Sequence, residues 1–286
     1  MAGRNLADER LTAAVRESFA NASSERLRTV LDALVRHLHG FAADVGLTED
    51  EWLAGIQFLT EAGHVSDDTR QELVLLSDVL GLSMLVIGLN HGGSETATEQ
   101  TVFGPFFVEG APRFRNGDDL ANGAPGEACL VSGRVRSIDG QPIAGARVDV
   151  WQADEDGMYD VQYDGTVVAR GRGHLYSDAA GEFWFRTIRP TAYPIPTDGP
   201  VGRLLEAAGR TAMRPAHIHF RVQADGYRTL TTHVFAAGDP YLDSDAVFGV
   251  KESLIAPFEQ GSDGTWSLRY DFVLEHAGRR PPAHSS

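Results

Sequence analysis

The first third of the chain carries a helical pattern of apolar positions. Apolar residues three and four positions apart form a stripe, which predicts an amphipathic helix. The stripe consists of Leu27, Val30, Leu31, Leu34, Leu38 and Phe41. A capping box at Thr48–Glu51 predicts the start of a second helix. A further apolar stripe predicts one continuous helix from about Asp67 to Asn90.

After Gly104 and Pro105 the apolar period becomes two. Short alternating runs separated by turn residues predict β-strands. The predicted strands are Cys129–Val135, Ala146–Trp151, Glu182–Ile188, His217–Val222, Thr229–Phe235 and Trp266–Phe272. This change of period predicts an α+β protein. A helical N-terminal domain, residues 1–104, is followed by a β-sandwich or barrel, residues 105–286.

Composition narrows the possible partners and location of this protein. The formal net charge of -15 over 286 residues argues against binding to nucleic acid or to an anionic membrane. Cys129 is the only cysteine, which excludes an internal disulfide and suits a reducing compartment. Residues Met1–Arg16 lack the apolar core of a signal peptide, and no apolar run has membrane-spanning length. We therefore expect a cytoplasmic protein.

The segment Arg214–Arg221 predicts a metal-binding strand. Side chains repeat every second residue along a strand, so His217 and His219 leave the same side about 6.6 Å apart. Both imidazoles then converge on one ion through bonds of about 2 Å. The alternative is a pair of hydrogen-bonded histidines on a sheet.

Three segments resemble the signature of the intradiol ring-cleaving dioxygenases: Asp149–Asp160, Arg189–Pro196 and Arg214–Arg221. These are non-haem Fe(III) enzymes that split catechols between the two hydroxyl groups, and the resemblance covers nearly the whole chain. The family fold implies a helical N-terminal dimerisation domain followed by a β-sandwich that carries the iron. The implied iron ligands are Tyr159, Tyr193, His217 and His219. Arg214 would be catalytic, holding the electron-rich bound substrate; its alternative role is a structural ion pair.

Ligand chemistry agrees with the ferric assignment. Phenolate is a hard anion with an ordinary pKa near 10, so an ion as strongly charged as Fe(III) is needed to hold it deprotonated. Taken singly, Tyr159 and Tyr193 would be ordinary buried tyrosines. An Fe(II) site with two histidines and a carboxylate would need a nearby acid, but the residue four after His219 is Gln223. A structural zinc site would need more cysteines than Cys129.

The segments Thr231–Phe235 and Gly238–Leu254 resemble the hydroxyquinol 1,2-dioxygenase branch of this family. His233 stands where catechol-cleaving relatives usually carry glutamine, and we do not assign it to the metal. The resemblance implies that O2 cleaves hydroxyquinol (benzene-1,2,4-triol) to 3-hydroxy-cis,cis-muconate, which becomes maleylacetate in aromatic catabolism. The implied substrate-binding residues are Leu75, Asp78, Val102, Phe103, Gly104, Pro105, Phe106, Ile195, Pro196, Arg214 and Val247.

The sequence is also compatible with other functions. Within the family, the substrate could be catechol or a chlorocatechol. Outside it, the chain could be a metal-free β-sandwich binding module, or a zinc hydrolase with a carboxylate or third histidine that the sequence does not place near His217 and His219. The resemblance further implies a homodimer through the N-terminal helices, with a phospholipid bound between them.

Overall fold

The computed structural model describes residues 8–67, 70–91, 96–163 and 168–278. The chain divides into two compact units, with the boundary between Glu61 and Ala62. Every residue proposed for the site belongs to the second unit. The predicted domain boundary at residue 104 stays a prediction.

Three helices begin in the first unit: α1 (Asp8–Ser18), α2 (Glu25–Val45) and α3 (Glu49–His64). The α2 helix confirms the first predicted stripe. The capping box is also confirmed, because the Thr48 amide donates to Glu51 Oε2 at 2.9 Å and the Glu51 amide donates to Thr48 Oγ1 at 3.3 Å. Together these bonds satisfy two amides that the first turn of α3 leaves free.

The single helix predicted from Asp67 to Asn90 is wrong. The structure has two helices, α4 (Glu72–Val79) and α5 (Leu82–His91), bent by 75°. Gly81 adopts a left-handed conformation with φ of 73°, which ends the helical hydrogen-bond ladder. Among the described residues, no single helix is long and apolar enough to cross a membrane; α4 and α5 reach that length and composition only as a bent pair.

Two five-stranded sheets and a two-stranded ribbon follow. The strands are β1 (Ala128–Ser137), β2 (Arg147–Trp151), β3 (Arg172–Tyr176), β4 (Glu182–Ile188), β5 (Tyr193–Pro194), β6 (Met213–Arg214), β7 (His217–Gln223), β8 (Leu230–Ala236), β9 (Ile255–Ala256), β10 (Phe258–Gln260), β11 (Trp266–Arg269) and β12 (Phe272–Leu274). Helix α6 (Pro200–Ala207) and three short 3-10 helices, Asp160–Gln162, Leu242–Ser244 and Glu252–Leu254, lie between strands. One sheet has the order β10-β11-β1-β12, with β4 also on β1; the other is β3-β2-β7-β8-β9, and β5 pairs with β6.

The two large sheets pack face to face, which confirms the α+β class with a β-sandwich. Their shared core contains Val131 and Phe185 from one sheet and Ile218, Phe220 and Val234 from the other. Each fully buried side chain of this size contributes about 1.5–3 kcal/mol. Alternate side chains of β7, those of Ile218 and Phe220, point into this core. His217 and His219 therefore lie on the opposite face of the strand.

One predicted strand, Trp266–Phe272, is wrong as a single element. It forms β11 and β12, which both pair with β1 in parallel. Between them the Asp271 carboxylate, rather than a backbone carbonyl, accepts from the Arg134 amide at 3.0 Å. This side chain interrupts the backbone ladder, and the strand breaks at Tyr270 and Asp271.

Candidate metal centre

Four side chains from three separate segments meet beside the sheet. Tyr159 stands in the loop after β2, immediately before the 3-10 helix Asp160–Gln162. Tyr193 belongs to β5, which pairs with β6 so that Tyr193 faces Arg214. His217 and His219 belong to β7. The structure therefore brings together all four residues that the sequence predicts as ligands.

Their polar atoms form a closed ring. Tyr159 Oη lies 2.7 Å from Tyr193 Oη, which lies 3.3 Å from His217 Nε2. His217 Nε2 lies 3.2 Å from His219 Nε2, which returns to Tyr159 Oη at 2.9 Å. Bonds of about 2.0–2.2 Å to one central ion would separate neighbouring ligand atoms by about 2.8–3.6 Å. Three of the four observed separations, 2.9, 3.2 and 3.3 Å, fall in this range, and the fourth, 2.7 Å, lies at its lower edge.

The protonation of the ring also suits a cation. Burial lowers the pKa of His217 to about 3, with the charge of Arg214 contributing, so this imidazole is neutral at neutral pH. Burial likewise lowers the pKa of His219 and raises the pKa of the Tyr159 and Tyr193 phenols. Two buried phenolates are stable only if a positive ion compensates them. The donor set therefore fits a strongly charged metal ion.

Neighbouring groups fix the orientation of both imidazoles. His217 Nδ1 lies 2.7 Å from the Pro215 carbonyl, so it donates there and leaves Nε2 as the acceptor nitrogen that faces the other ring atoms. The Trp151 ring stacks on His219 with centroids 4.7 Å apart and planes at 18°. Gly104, with φ of 76°, packs against the same imidazole; a Cβ there would lie 3.1 Å from His219 Cε1. A larger residue at this position would strain the backbone and displace His219.

A third histidine lies closer than the sequence indicated. His233 on β8 pairs with His219 across the strands, and their ring centroids are 4.1 Å apart. Possible ligand nitrogens of His217, His219 and His233 all lie within 4.8 Å of one another. The sequence did not place a third histidine near His217 and His219, and this prediction is wrong, because strand pairing joins residues that the sequence separates. His233 Nε2 is buried and has no hydrogen-bond partner among the described residues.

Arg214 is buried beside the ring and is paired with an acid that sequence reasoning missed. Its Nε lies 3.1 Å from Asp245 Oδ1, and its Nη1 lies 3.2 Å from His217 Nε2. Asp245 also accepts from the Gly249 amide at 2.8 Å. Arg214 therefore forms the ion pair of its predicted structural role, and it also lies next to the four-atom ring, as its predicted catalytic role requires. Only the acidic stretch from residue 243 to residue 245 could have indicated this partner.

The predicted substrate-binding residues occupy different environments. Phe106 stacks on Tyr159 with ring centroids 4.5 Å apart, and the ring centroids of Phe103 and Trp151 lie 5.8 Å apart. Asp78 on α4 is buried, and burial raises the pKa of its carboxyl. The charge of Arg214 lowers this pKa, and the charge of Asp245 raises it. Four further predicted residues, Leu75, Val102, Ile195 and Val247, are buried. Pro196 is half-buried and Pro105 is exposed.

A second buried ion pair supports Tyr159 and was also missed. Asp160, the next residue in the chain, accepts two bonds from Arg172 Nε at 2.9 and 3.0 Å and one from Nη2 at 2.6 Å. Gly157, with φ of 77°, lets the same loop pass Tyr193, since a Cβ there would lie 2.6 Å from Tyr193 Cβ. Neither feature could be recognised from the sequence alone, because glycines, aspartates and arginines are common in any sequence. Only the folded chain shows which of them meet.

Comparison with known proteins identifies the family. The family model described as Dioxygenase matches residues 102–276, and the model described as Catechol dioxygenase N terminus matches residues 24–98. The chain belongs to the intradiol ring-cleaving dioxygenases. The resemblance of its motifs to this family is thereby confirmed, and so is its classification as an enzyme of this class.

Individual relatives in the family cover almost the full chain. The 6-chlorohydroxyquinol 1,2-dioxygenase of Cupriavidus pinatubonensis (strain JMP 134) is 58% identical over 264 residues, covering 92% of this chain and 96% of that protein. The crystal structure of hydroxyquinol 1,2-dioxygenase from Pseudomonas putida DLL-E4 matches with a TM-score of 0.87 and 47% identity, covering 93% of this chain and 97% of that one. Catechol 1,2-dioxygenase from Pseudomonas arvilla C-1 matches with a TM-score of 0.82 and 28% identity, covering 99% and 96%.

Proposed function

We propose that this protein uses O2 to cleave hydroxyquinol between its two adjacent hydroxyl groups, giving 3-hydroxy-cis,cis-muconate and then maleylacetate. The observation that carries this proposal is the ring of two phenol oxygens and two imidazole nitrogens beside Arg214. The chain is 47% identical to a hydroxyquinol 1,2-dioxygenase and 58% identical to a 6-chlorohydroxyquinol 1,2-dioxygenase, but only 28% and 37% identical to two catechol 1,2-dioxygenases. This difference supports the triol as substrate over catechol.

Tyr159, Tyr193, His217 and His219 would hold one ferric ion. When bound there, ferric iron would supply the Lewis acid that activates the diol toward O2. The chain supplies two neutral imidazoles whose Nε2 atoms belong to the ring, and two phenols that would give up their protons when the cation binds. We assign the Tyr193 phenolate as the group that takes a proton from the incoming diol; Tyr193 lies opposite Arg214 across β5 and β6.

Arg214 and Asp78 would recognise the substrate. Arg214 is a fixed, buried cation next to the ring, so it stabilises negative charge that develops on the bound substrate. Asp78 would accept a hydrogen bond from the third hydroxyl, the group that distinguishes hydroxyquinol from catechol. The remaining wall would be formed by the other predicted pocket residues: Leu75, Val102, Phe103, Gly104, Pro105, Phe106, Ile195, Pro196 and Val247. Such an apolar slot with few polar groups suits a planar ring.

Oxygen uptake tests the proposed reaction. The purified enzyme is given hydroxyquinol, catechol and protocatechuate in turn, and each product is identified by mass spectrometry. We expect hydroxyquinol to have the highest specificity constant and to yield the hydroxymuconate. Faster cleavage of catechol than of hydroxyquinol would show that the substrate assignment is wrong. Cleavage of a ring bond other than the one between the two hydroxyl-bearing carbons would contradict intradiol chemistry.

We further propose a homodimer formed by the N-terminal helices, with a phospholipid bound in its interface. The α2 helix has no buried residue, and one of its faces is a continuous apolar stripe exposed by 41–56%. The stripe is formed by Leu27, Val30, Leu34, Leu38, Phe41 and Val45. An apolar surface of this length is costly in water, and a second copy with acyl chains between the helices would cover it.

We also propose a cytoplasmic location. The chain has a single cysteine, Cys129, so it cannot form an internal disulfide, and this suits a reducing compartment.

A further inference from the structure

Arg210, in the connection between α6 and β6, joins two segments that border the proposed substrate pocket. Its Nη1 donates to the Val79 carbonyl at 2.6 Å, and its Nη2 donates to the Ala246 carbonyl at 3.0 Å. The centre of its guanidinium group also lies 4.8 Å from the centroid of the Phe248 ring, a distance at which a cation and an aromatic face attract each other. One side chain thus connects the end of α4 with the turn at residues 245–249.

Each of these segments carries a residue proposed to touch the substrate. Asp78 immediately precedes Val79 in the last turn of α4, and Val247 stands between Ala246 and Phe248. Asp78 and Val247 are both buried. The distance between the helix end and the turn therefore sets the distance between an acid and an apolar side chain on the pocket wall.

The turn needs an external restraint. Phe248 has a φ of 57°, a left-handed conformation that is strained for a bulky residue. Its ring lies next to Gly81, at 3.5 Å from where a Cβ would stand, so it rests on the bend that ends α4. The contact of Arg210 with the Phe248 ring and its bond to Ala246 both act against relaxation of this turn.

Helix α4 needs restraint as well. An eight-residue helix is not stable alone, so its position depends on contacts at its ends. At its start, the buried Glu72 accepts from the Val201 amide at 3.0 Å and from Arg70 Nη2 at 3.0 Å. At its end, Arg210 binds a carbonyl that the helix leaves free, where a cation is electrostatically favoured.

We propose that Arg210 is a positioning residue for substrate selectivity: it holds the Asp78 end of α4 against the 245–249 turn and so sets the width of the pocket for the third hydroxyl. Arg210 would not touch the substrate or the metal ligands. Without it, the helix end and the turn separate, and Asp78 no longer reaches the hydroxyl that catechol lacks. This inference rests on the proposed cleavage of hydroxyquinol.

The matched control is Arg70, which also joins α4 to the α6 region. It bridges Glu72 and Asp198 with bonds of 2.8–3.2 Å, but it acts at the start of α4. At about 1.5 Å per residue, that end lies about 9 Å along the helix from Asp78. Removing Arg70 therefore disturbs the same helix without freeing the pocket end.

The experiment compares the specificity constants for hydroxyquinol and catechol in wild type, Arg210→Met, Arg210→Lys and Arg70→Met. We expect Arg210→Met to lower the hydroxyquinol-to-catechol ratio by about tenfold or more, because a polar contact in the pocket is lost. Arg210→Lys should restore part of the ratio, since one ammonium reaches one carbonyl. Arg70→Met should leave the ratio unchanged. Phenolate bound to ferric iron at the proposed site would absorb visible light by charge transfer, and this spectrum should be the same in all four proteins.

An Arg210→Met enzyme that is folded and coloured yet keeps the wild-type ratio would overturn the inference, as would an equal fall in Arg70→Met. If Arg210→Met does not fold, Arg210→Lys and Phe248→Leu decide, and an unchanged ratio in both is the contradicting result. A wild type that cleaves neither substrate would instead refute the proposed function, so the two failures are distinguishable.

Discussion

Arg214 and Asp245 form a buried ion pair in which Nε lies 3.1 Å from Oδ1 and Nη2 lies 3.4 Å from Oδ2. Two nitrogens of the guanidinium thus face the carboxylate, while Nη1 faces His217 at 3.2 Å. Asp245 therefore determines where the positive charge of Arg214 stands relative to the four donor atoms. A pair of this kind has a structural and a functional consequence, and the two are separable by mutation.

Arg214→Ala should retain iron yet lose turnover by about a hundredfold to a thousandfold, the usual cost of removing one preorganised charge. It should also lose about 3–5 kcal/mol of stability, because Asp245 becomes an unpaired buried charge. The double variant Arg214→Ala/Asp245→Ala should recover stability without recovering turnover. Urea unfolding and kcat are measured on both. Recovery of turnover together with stability would show that Arg214 is only structural.

Asp78→Ala should reduce the preference for hydroxyquinol over catechol while leaving the visible spectrum intact. The expected loss is a few kcal/mol of discrimination, because the third hydroxyl then has no acceptor in a buried site. Asp78→Asn, which keeps one acceptor oxygen, should retain part of the preference. Specificity constants for both substrates check this. Equal losses for hydroxyquinol and catechol would indicate a packing role.

Arg172→Met should release iron to a chelator faster than wild type. Arg172 holds Asp160, and Asp160 follows the proposed ligand Tyr159, so loss of the pair frees the loop that presents the phenol. The matched control is Arg147→Met, since Arg147 makes a similar pair with Asp149 at 2.6 Å elsewhere in the same sheet. The release rate is followed at the visible band. Equal acceleration in both variants would attribute the effect to general destabilisation.

Short motifs and their resemblance to a known family were sufficient to propose the four ligands. Tyr159, Tyr193 and the two histidines of β7 lie in short motifs, and strand alternation alone places His217 and His219 on one side. Long-range relationships were not predictable in the same way. His233 approaches His219 through the register of β7 and β8, and Asp245 reaches Arg214 across 31 residues of chain. No periodic pattern encodes either pairing.

Two element boundaries failed for a similar reason. The apolar stripe continues through Gly81, so it does not reveal the left-handed glycine that separates α4 from α5. The alternation continues from Trp266 to Phe272, yet the Asp271 side chain replaces a backbone partner of β1 and breaks the strand. In both places one residue's backbone or side-chain hydrogen bonding overrides a correct hydrophobic pattern.

Light scattering at low micromolar concentration should give about twice the chain mass of 31.0 kDa. Replacing Leu34 and Leu38 with glutamate should produce monomers, because the charges would fall on the exposed stripe of α2. Native mass spectrometry of the wild-type dimer should show bound phospholipid. A wild-type monomer would refute the dimer, and a dimer without lipid would remove the lipid proposal alone.

We propose above all that two tyrosines and two histidines of this chain hold ferric iron. The most direct measurement is the iron content and visible spectrum of wild type, Tyr159→Phe and Tyr193→Phe. We predict about one iron per chain and a red colour from phenolate-to-iron charge transfer, altered by either substitution. A colourless wild type that contains zinc and stays inactive after reconstitution with ferric iron would contradict the account.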